Sequence, residues 1–195
     1  RIRNHLASKS LILVGLRGVG KTVLLNRISE QAETDGYRSF LIESHEGANL
    51  PILLVPPLRK LLYSLDTNQN LNDKVRRGFR VFASFVRCFK AKLGEIEYSL
   101  DLELGSADSG SLEADLPELF VAIGEAAADQ NTAVALCVDV MQYLTEDELG
   151  ALIMAIHRTN QKNLPFTLVG AGLPQIVGLC GKSKSYAERL FNFPD

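Results

Sequence analysis

Apolar and polar positions recur with two different periods along this chain, and the switches between them mark its elements. Leu11-Ile12-Leu13-Val14 is a short unbroken apolar run, as a parallel strand buried on both faces requires. Past a glycine-rich turn, Val23, Leu24, Ile28 and Ala32 recur at near-helical spacing, predicting a helix from Thr22 to about Asp35 that Asp35-Gly36 ends. A second strand is predicted over Tyr37 to Glu43. Glu46-Gly47-Ala48-Asn49 then forms a turn with an N-cap candidate, and Pro51 suits the first turn of a helix. Pro56-Pro57 is expected to break that helix, leaving Leu58 to Leu65 as its ordered part.

Residues 66–111 read as an insertion between the second and third strands of a core sheet. A polar stretch, 66–72, precedes a strong helix from Asp73 to Leu93, with Val75, Phe79, Phe82, Val86 and Phe89 on one face. Its other face carries Arg76, Arg77, Arg80, Arg87, Lys90 and Lys92; such a stripe could meet nucleic-acid phosphates, although a solvated helix face is the commoner use. From Glu95 to Leu104 apolar and mostly acidic residues alternate, as in a strand with one wet face, whose carboxylates serve solubility and edge protection. Residues 105–111 are small and polar and read as a flexible loop.

A helix over Leu116 to Asp129 returns the chain to the core, where Thr132 to Asp139 is an apolar strand ending in a lone carboxylate. Thr145-Glu146-Asp147-Glu148 reads as a capping box opening a helix to about Gln161. Pro165 to Gly170 predicts a further strand.

The chemistry concentrates in the first turn. Gly15, Gly20, Lys21 and Thr22 satisfy the spacing G-x-x-x-x-G-K-S/T, placed between a strand and a helix as that phosphate-binding loop requires. A helix N-terminus offers free N–H groups and the positive end of a dipole to a polyphosphate. Residues Gly15, Leu16, Arg17, Gly18, Val19, Gly20, Lys21, Thr22 and Val23 form the candidate cradle. Lys21 supplies a charge for the β- and γ-phosphates, and the Thr22 hydroxyl is a candidate Mg²⁺ ligand. Asp139, ending an apolar strand well downstream, is placed to hold the same Mg²⁺. The loop therefore points to a nucleoside triphosphate. ATP is favoured over GTP because no Asn-Lys-x-Asp segment occurs, and the absence of Leu-Ser-Gly-Gly-Gln argues against an ABC transporter ATPase.

On GLRGVGKT at 15–22, VDVMQYL at 138–144, LPFTLVGAGLPQ at 164–175 and KSYAERLF at 184–191, the chain resembles the AAA+ ATPases. In particular it is similar to the bacterial and archaeal ATP-binding group related to the Orc1/Cdc6 initiators and to STAND ATPases. The resemblance covers most of residues 8–64 and 115–193. It implies a P-loop NTPase α/β fold, three layers α/β/α around a mostly parallel sheet of order 5-1-4-3-2, the fifth strand missing or truncated. It further implies ATP and Mg²⁺ as ligands, Lys21 and Asp139 as catalytic groups, and Thr22 and Asp139 as metal ligands. The group's Asp-Glu-x-Gln becomes Asp139-Val140-Met141-Gln142 here, so the glutamate that would polarise the attacking water is a valine, which accepts no proton. Slow hydrolysis, or a switch that binds ATP without turnover, follows as the expectation. Glu43 is expected to lie too far away to substitute, and Glu146 and Glu148 are better used in capping. The family's polar sensor residue has no Asn or Ser equivalent in Val169-Gly170-Ala171-Gly172; Thr167 and Gln175 are the substitutes. Arg158 and Arg189 are the candidates for an arginine finger in an oligomer, with surface ion pairing as the plainer role. Past Phe193-Pro194-Asp195 no helical lid follows, so residues 1–195 are read as a nucleotide-binding core cut from a larger protein. A DNA or protein partner could dock through the insertion or through the missing C-terminal region.

Composition adds bounds. With 195 residues, 46% hydrophobic and a net charge of −2, the chain suits one α/β core without a global pull toward nucleic acid or acidic membranes. No apolar run reaches membrane-spanning length and no signal peptide is visible. Cys88, Cys137 and Cys180 are odd in number and far apart; Cys88 and Cys137 look like small core residues, and a reducing, cytoplasmic compartment is the simplest reading.

Overall fold

The computed structural model describes residues 10–66, 72–89, 105–183 and 187–194. Five strands form one sheet in which every described pairing is parallel: β1 (Ser10–Val14), β2 (Arg38–Glu43), β3 (Val134–Asp139), β4 (Phe166–Gly172) and β5 (Phe191–Asn192). Their order is β2-β3-β4-β1-β5, the order the resemblance implied, with the last strand only two residues long.

Strands β3 and β4 are buried at every position because helices cover both faces of the sheet, and successive side chains turn to opposite sides. Leu13, Cys137, Val169 and Ala171 turn to one side and pack with Leu25 of α1 (Lys21–Thr34). Ile12, Phe40, Ile42, Leu136, Val138 and Leu168 turn to the other and join the larger core. That second layer is built from α2 (Leu50–Leu65), α3 (Asp73–Cys88), α4 (Leu112–Asp129) and α5 (Glu146–Gln161), and Phe120 of α4 stacks on Phe166 at 4.6 Å. Short helices α6 (Gln175–Ser183) and α7 (Ala187–Leu190) precede β5. Among the described residues no helix is long and apolar enough to cross a membrane.

Four helices differ from the sequence expectation, α3 among them. In α1 the buried residue is Leu25, whereas Val23 and Leu24 are exposed, so the helix touches the sheet over a narrower stripe than its apolar content implies. Helix α2 begins eight residues early and runs through Pro56 and Pro57. Asn49 caps it, its side chain accepting from the Ile52 N–H at 3.3 Å. Each internal proline costs about 3 kcal/mol, but the helix buries Leu50, Leu54, Val55, Leu58, Leu61, Leu62 and Leu65. At roughly 1.5–3 kcal/mol per side chain, that burial outweighs both breaks. Helix α4 likewise starts at Leu112, four residues before the predicted start.

Helix α3 is amphipathic as predicted but ends at Cys88, with Phe89 as its C-cap, short of the expected Leu93, and its apolar face belongs to the main core. Part of its basic face is committed: Arg77 pairs with Glu125 of α4 at 2.8 Å, and Lys74 and Lys162 lie near the same carboxylate. The loop before α4 is tied to that helix, since the buried Asp115 carboxylate accepts from Ser109 N, Ser109 Oγ and Gly110 N. The predicted acidic strand Glu95 to Leu104, Lys90 and Lys92, and residues 1–9 lie outside the described residues.

Candidate functional site: the P-loop cavity

At the carboxyl ends of the strands lies a cavity of about 580 Å³. The loop from β1 to α1 gives it one wall: Arg17, Gly18, Gly20, Lys21, Thr22 and Val23. Asp139 at the end of β3, with Val140, Gln142 and Tyr143 behind it, gives the opposite wall, and Gly172 and Leu173 close it beyond β4. The strand order explains the meeting. Strand β4 separates β1 from β3, so the loop after β1 and the carboxylate after β3 face each other across its end.

The loop is shaped by its glycines. Gly18 and Gly20 take φ of 80° and 89°, backbone that L side chains seldom adopt. Gly20 also caps α1 without a side chain, so the first-turn N–H groups of the helix keep no side-chain acceptor, and no acidic residue occupies that turn. An anion fits there by hydrogen bonding and by dipole. Lys21 folds back on the loop, its Nζ donating to the carbonyls of Gly15 and Leu16. Gly15 itself sits at the neck, its N–H donating to the Gly172 carbonyl at 3.3 Å. Gly15, Leu16 and Val19 are not in the cavity wall; Leu16 and Val19 point their side chains to solvent.

Asp139 is buried, and its Oδ1 accepts the Val140 N–H at 2.8 Å. That bond belongs to a sharp turn in which Val140 adopts φ 55°, ψ 41°, an outlying conformation for a β-branched side chain. A three-residue 3₁₀ turn, Met141–Tyr143, follows and aims Gln142 back across the strand ends, where its Oε1 accepts the Leu173 N–H at 3.2 Å. The residues present suit a Mg²⁺ ion carried in with phosphate. Asp139 keeps Oδ2 for a cation, Thr22 brings a hydroxyl into the same cavity, and Gly18 and Gly20 leave open space where a Cβ would stand. Among the described residues no cluster of three or more His, Cys, Asp or Glu forms a cage of its own, as Mg²⁺ with phosphate ligands does not require one.

The remaining sequence candidates separate. Glu43 ends β2, its Cα in register with that of Asp139 on the adjoining β3, and it is outside the cavity wall, one strand further from the loop. Glu148 caps α5 in a complete capping box and also accepts the Leu50 N–H of α2 at 2.7 Å, so its carboxylate is structural. Thr167 is buried in the first half of β4, in register with Ala135 and away from the strand end; Gln175 is not in the wall. Arg158 pairs with Glu118 at 3.2 Å, and Arg189 is exposed on α7. Sequence reasoning left Gln142, Tyr143, Gly172 and Leu173 without a place in the site. Gln142 alone had a signal, as the last residue of the Asp-x-x-Gln pattern.

A phosphate-binding loop facing an aspartate across a parallel sheet of this order defines a P-loop nucleotide-binding protein. The sequence matches the AAA domain family over residues 5–173, and the chain belongs to that family. Its core is accordingly of the nucleotide-binding ATPase type. Among solved structures it is similar to a nucleotide-free ATP-binding cassette from an ABC transporter, with 14% identity and a TM-score of 0.36, over 88% of this chain and 73% of that one. A likeness of that degree carries no functional argument. No curated protein matches the sequence.

Proposed function

We propose that this chain binds ATP with Mg²⁺ in the P-loop cavity and hydrolyses it slowly. The backbone amides of Gly18, Gly20, Lys21, Thr22 and Val23, which line the cavity, receive the phosphates, Lys21 neutralises the β- and γ-phosphates, and Thr22 and Asp139 would hold the metal, which when bound would offset the developing charge. The observation that carries slow turnover is Val140. It lines the cavity directly after Asp139, where its hydrocarbon side chain can neither orient water nor take a proton. ATP rather than GTP is supported by the lack of a guanine-reading Asn-Lys-x-Asp segment.

The same observation supports a second reading, a switch that reports bound ATP to a protein or DNA partner without useful turnover. Titration calorimetry of the full-length protein with ATP, with and without Mg²⁺, tests the binding reading: no heat at millimolar ATP ends it. Phosphate release by the unaltered protein and by Val140→Glu separates the two outcomes. A slow but measurable rate that rises in the variant supports the ATPase. A zero rate in the unaltered protein supports the switch, and equal, robust rates in both remove the argument from Val140.

A further inference from the structure

We propose that Gln142 reads the γ-phosphate, so that the cavity distinguishes ATP from ADP; the inference rests on the nucleotide reading above. The chain lacks a polar side chain at the end of β4, where Val169-Gly170-Ala171-Gly172 offers none. Gln142 reaches that place from the neighbouring strand. It lies in the same cavity wall as Asp139 and Val140, facing Lys21 and Thr22.

Its orientation is fixed by chemistry. The Leu173 backbone N–H is only a donor, so the amide atom it meets at 3.2 Å is the oxygen. The amide is planar, and its NH₂ group, with two donors, is the other end of the fork. No bond from that nitrogen to any other group is found among the described residues. Gly172 lies directly against this contact, since a Cβ placed there would stand at 3.4 Å from Oε1, at van der Waals distance. Gln142 is therefore the one side-chain amide in the wall, with its acceptor already used and its donors available to an anion.

On the nucleotide reading, the terminal phosphate is the anion this wall would meet. The loop amides and the α1 N-terminus would hold the inner phosphates from one side, and Thr22 and Asp139 would hold the metal that accompanies them. A donor three residues beyond Asp139, across from the loop, meets the outer end of the chain. The contact is also wired to the loop. Leu173 follows Gly172, whose carbonyl accepts the Gly15 N–H, so the anchor of Gln142 and the neck of the phosphate loop share the end of β4.

The test compares ATP and ADP binding, both with Mg²⁺, by calorimetry on the full-length protein and its Gln142→Ala and Gln142→Glu variants. Gln142→Glu keeps an oxygen for the Leu173 N–H but replaces the NH₂ donors with a second anionic oxygen. Thermal unfolding checks that each variant is folded. ATP affinity is expected to fall about tenfold in Gln142→Ala and further in Gln142→Glu, while ADP affinity changes less than threefold. Equal losses for both nucleotides would make Gln142 a strut and overturn the proposal, as would unchanged ATP affinity in the two variants. Absence of any nucleotide heat in the unaltered protein would instead overturn the underlying binding reading, a result told apart because it precedes any substitution.

Discussion

Lys21 and Gly15, six residues apart, are joined by a 2.8 Å hydrogen bond from the lysine Nζ to the glycine carbonyl, with Leu16 accepting a second at 2.6 Å. Two of the three ammonium donors are thus occupied by the loop's own backbone, and an arriving phosphate must compete with them. Lys21→Ala removes the loop's internal tie and its charge together. Nucleotide affinity should fall about 30- to 150-fold, the equivalent of a charge-assisted contact of about 2–3 kcal/mol. The unfolding temperature should barely move, because the loop is at the surface. Retention of affinity within threefold would dismiss Lys21 as the phosphate's cation.

The turn after Asp139 predicts a gain rather than a loss. Val140 at φ 55° holds a conformation costing roughly 1–2 kcal/mol for a residue with a Cβ. Glycine relieves that strain and gives back about 0.5–1 kcal/mol through the greater freedom of the unfolded chain. Val140→Gly should therefore stabilise the protein by about 0.5–1 kcal/mol in urea unfolding. A loss above 1 kcal/mol would mean that packing of the isopropyl group, not backbone strain, governs the position.

How much of this was legible in the sequence depended on the range of the interaction. The loop and Asp139 announce themselves because each is a local pattern: glycines at fixed offsets before a helix, and a carboxylate closing an apolar run. The capping box at Thr145 is equally local, and its side chain bonds the Glu148 N–H as read. The reach of α2 through Pro56-Pro57 was hidden because the propensity rule is local while the burial that overrules it comes from β2, α3 and the larger core. Glu43 beside Asp139, and Gln142 on Leu173, are contacts between strand ends separated by long stretches of chain. No spacing encodes them. The finer features of the candidate site thus depend on sheet register, which only the folded chain displays.

Glu148 supplies a test of the architecture behind the site. Its buried carboxylate accepts from Leu50 N at 2.7 Å and from Thr145 N at 3.0 Å, so one side chain serves the N-termini of α2 and α5. Glu148→Ala strands two donors in or near the core, at about 1–3 kcal/mol each. A total loss of about 2–4 kcal/mol in denaturant unfolding is expected, and Glu148→Gln, which keeps one acceptor oxygen, should lose roughly half as much. Equal losses in the two variants would point to packing of the side-chain stem instead.

The cysteines predict how stability varies with pH. Burial pushes the Cys180 thiol from an ordinary 9.0 up to about 11. It raises Cys137 as well, because desolvation there exceeds the opposing hydrogen bonds from Ser39 and Ser29. Both groups thus hold their protons more tightly in the native state than in the unfolded chain. Their contribution is complete below about pH 9 and is lost as pH climbs toward 11, since the unfolded thiols ionise while the native ones do not. Urea midpoints should fall between pH 8.5 and pH 10.5, and Cys180→Ala should flatten that fall relative to the unaltered protein at the same two pH values. Alkylation at pH 8 gives an independent check: half-buried Cys88 should react in the native protein well before Cys137 and Cys180. A Cys180→Ala slope identical to the original, together with rapid native alkylation of Cys180, would show that its site is open to water and that burial is not what governs the thiol.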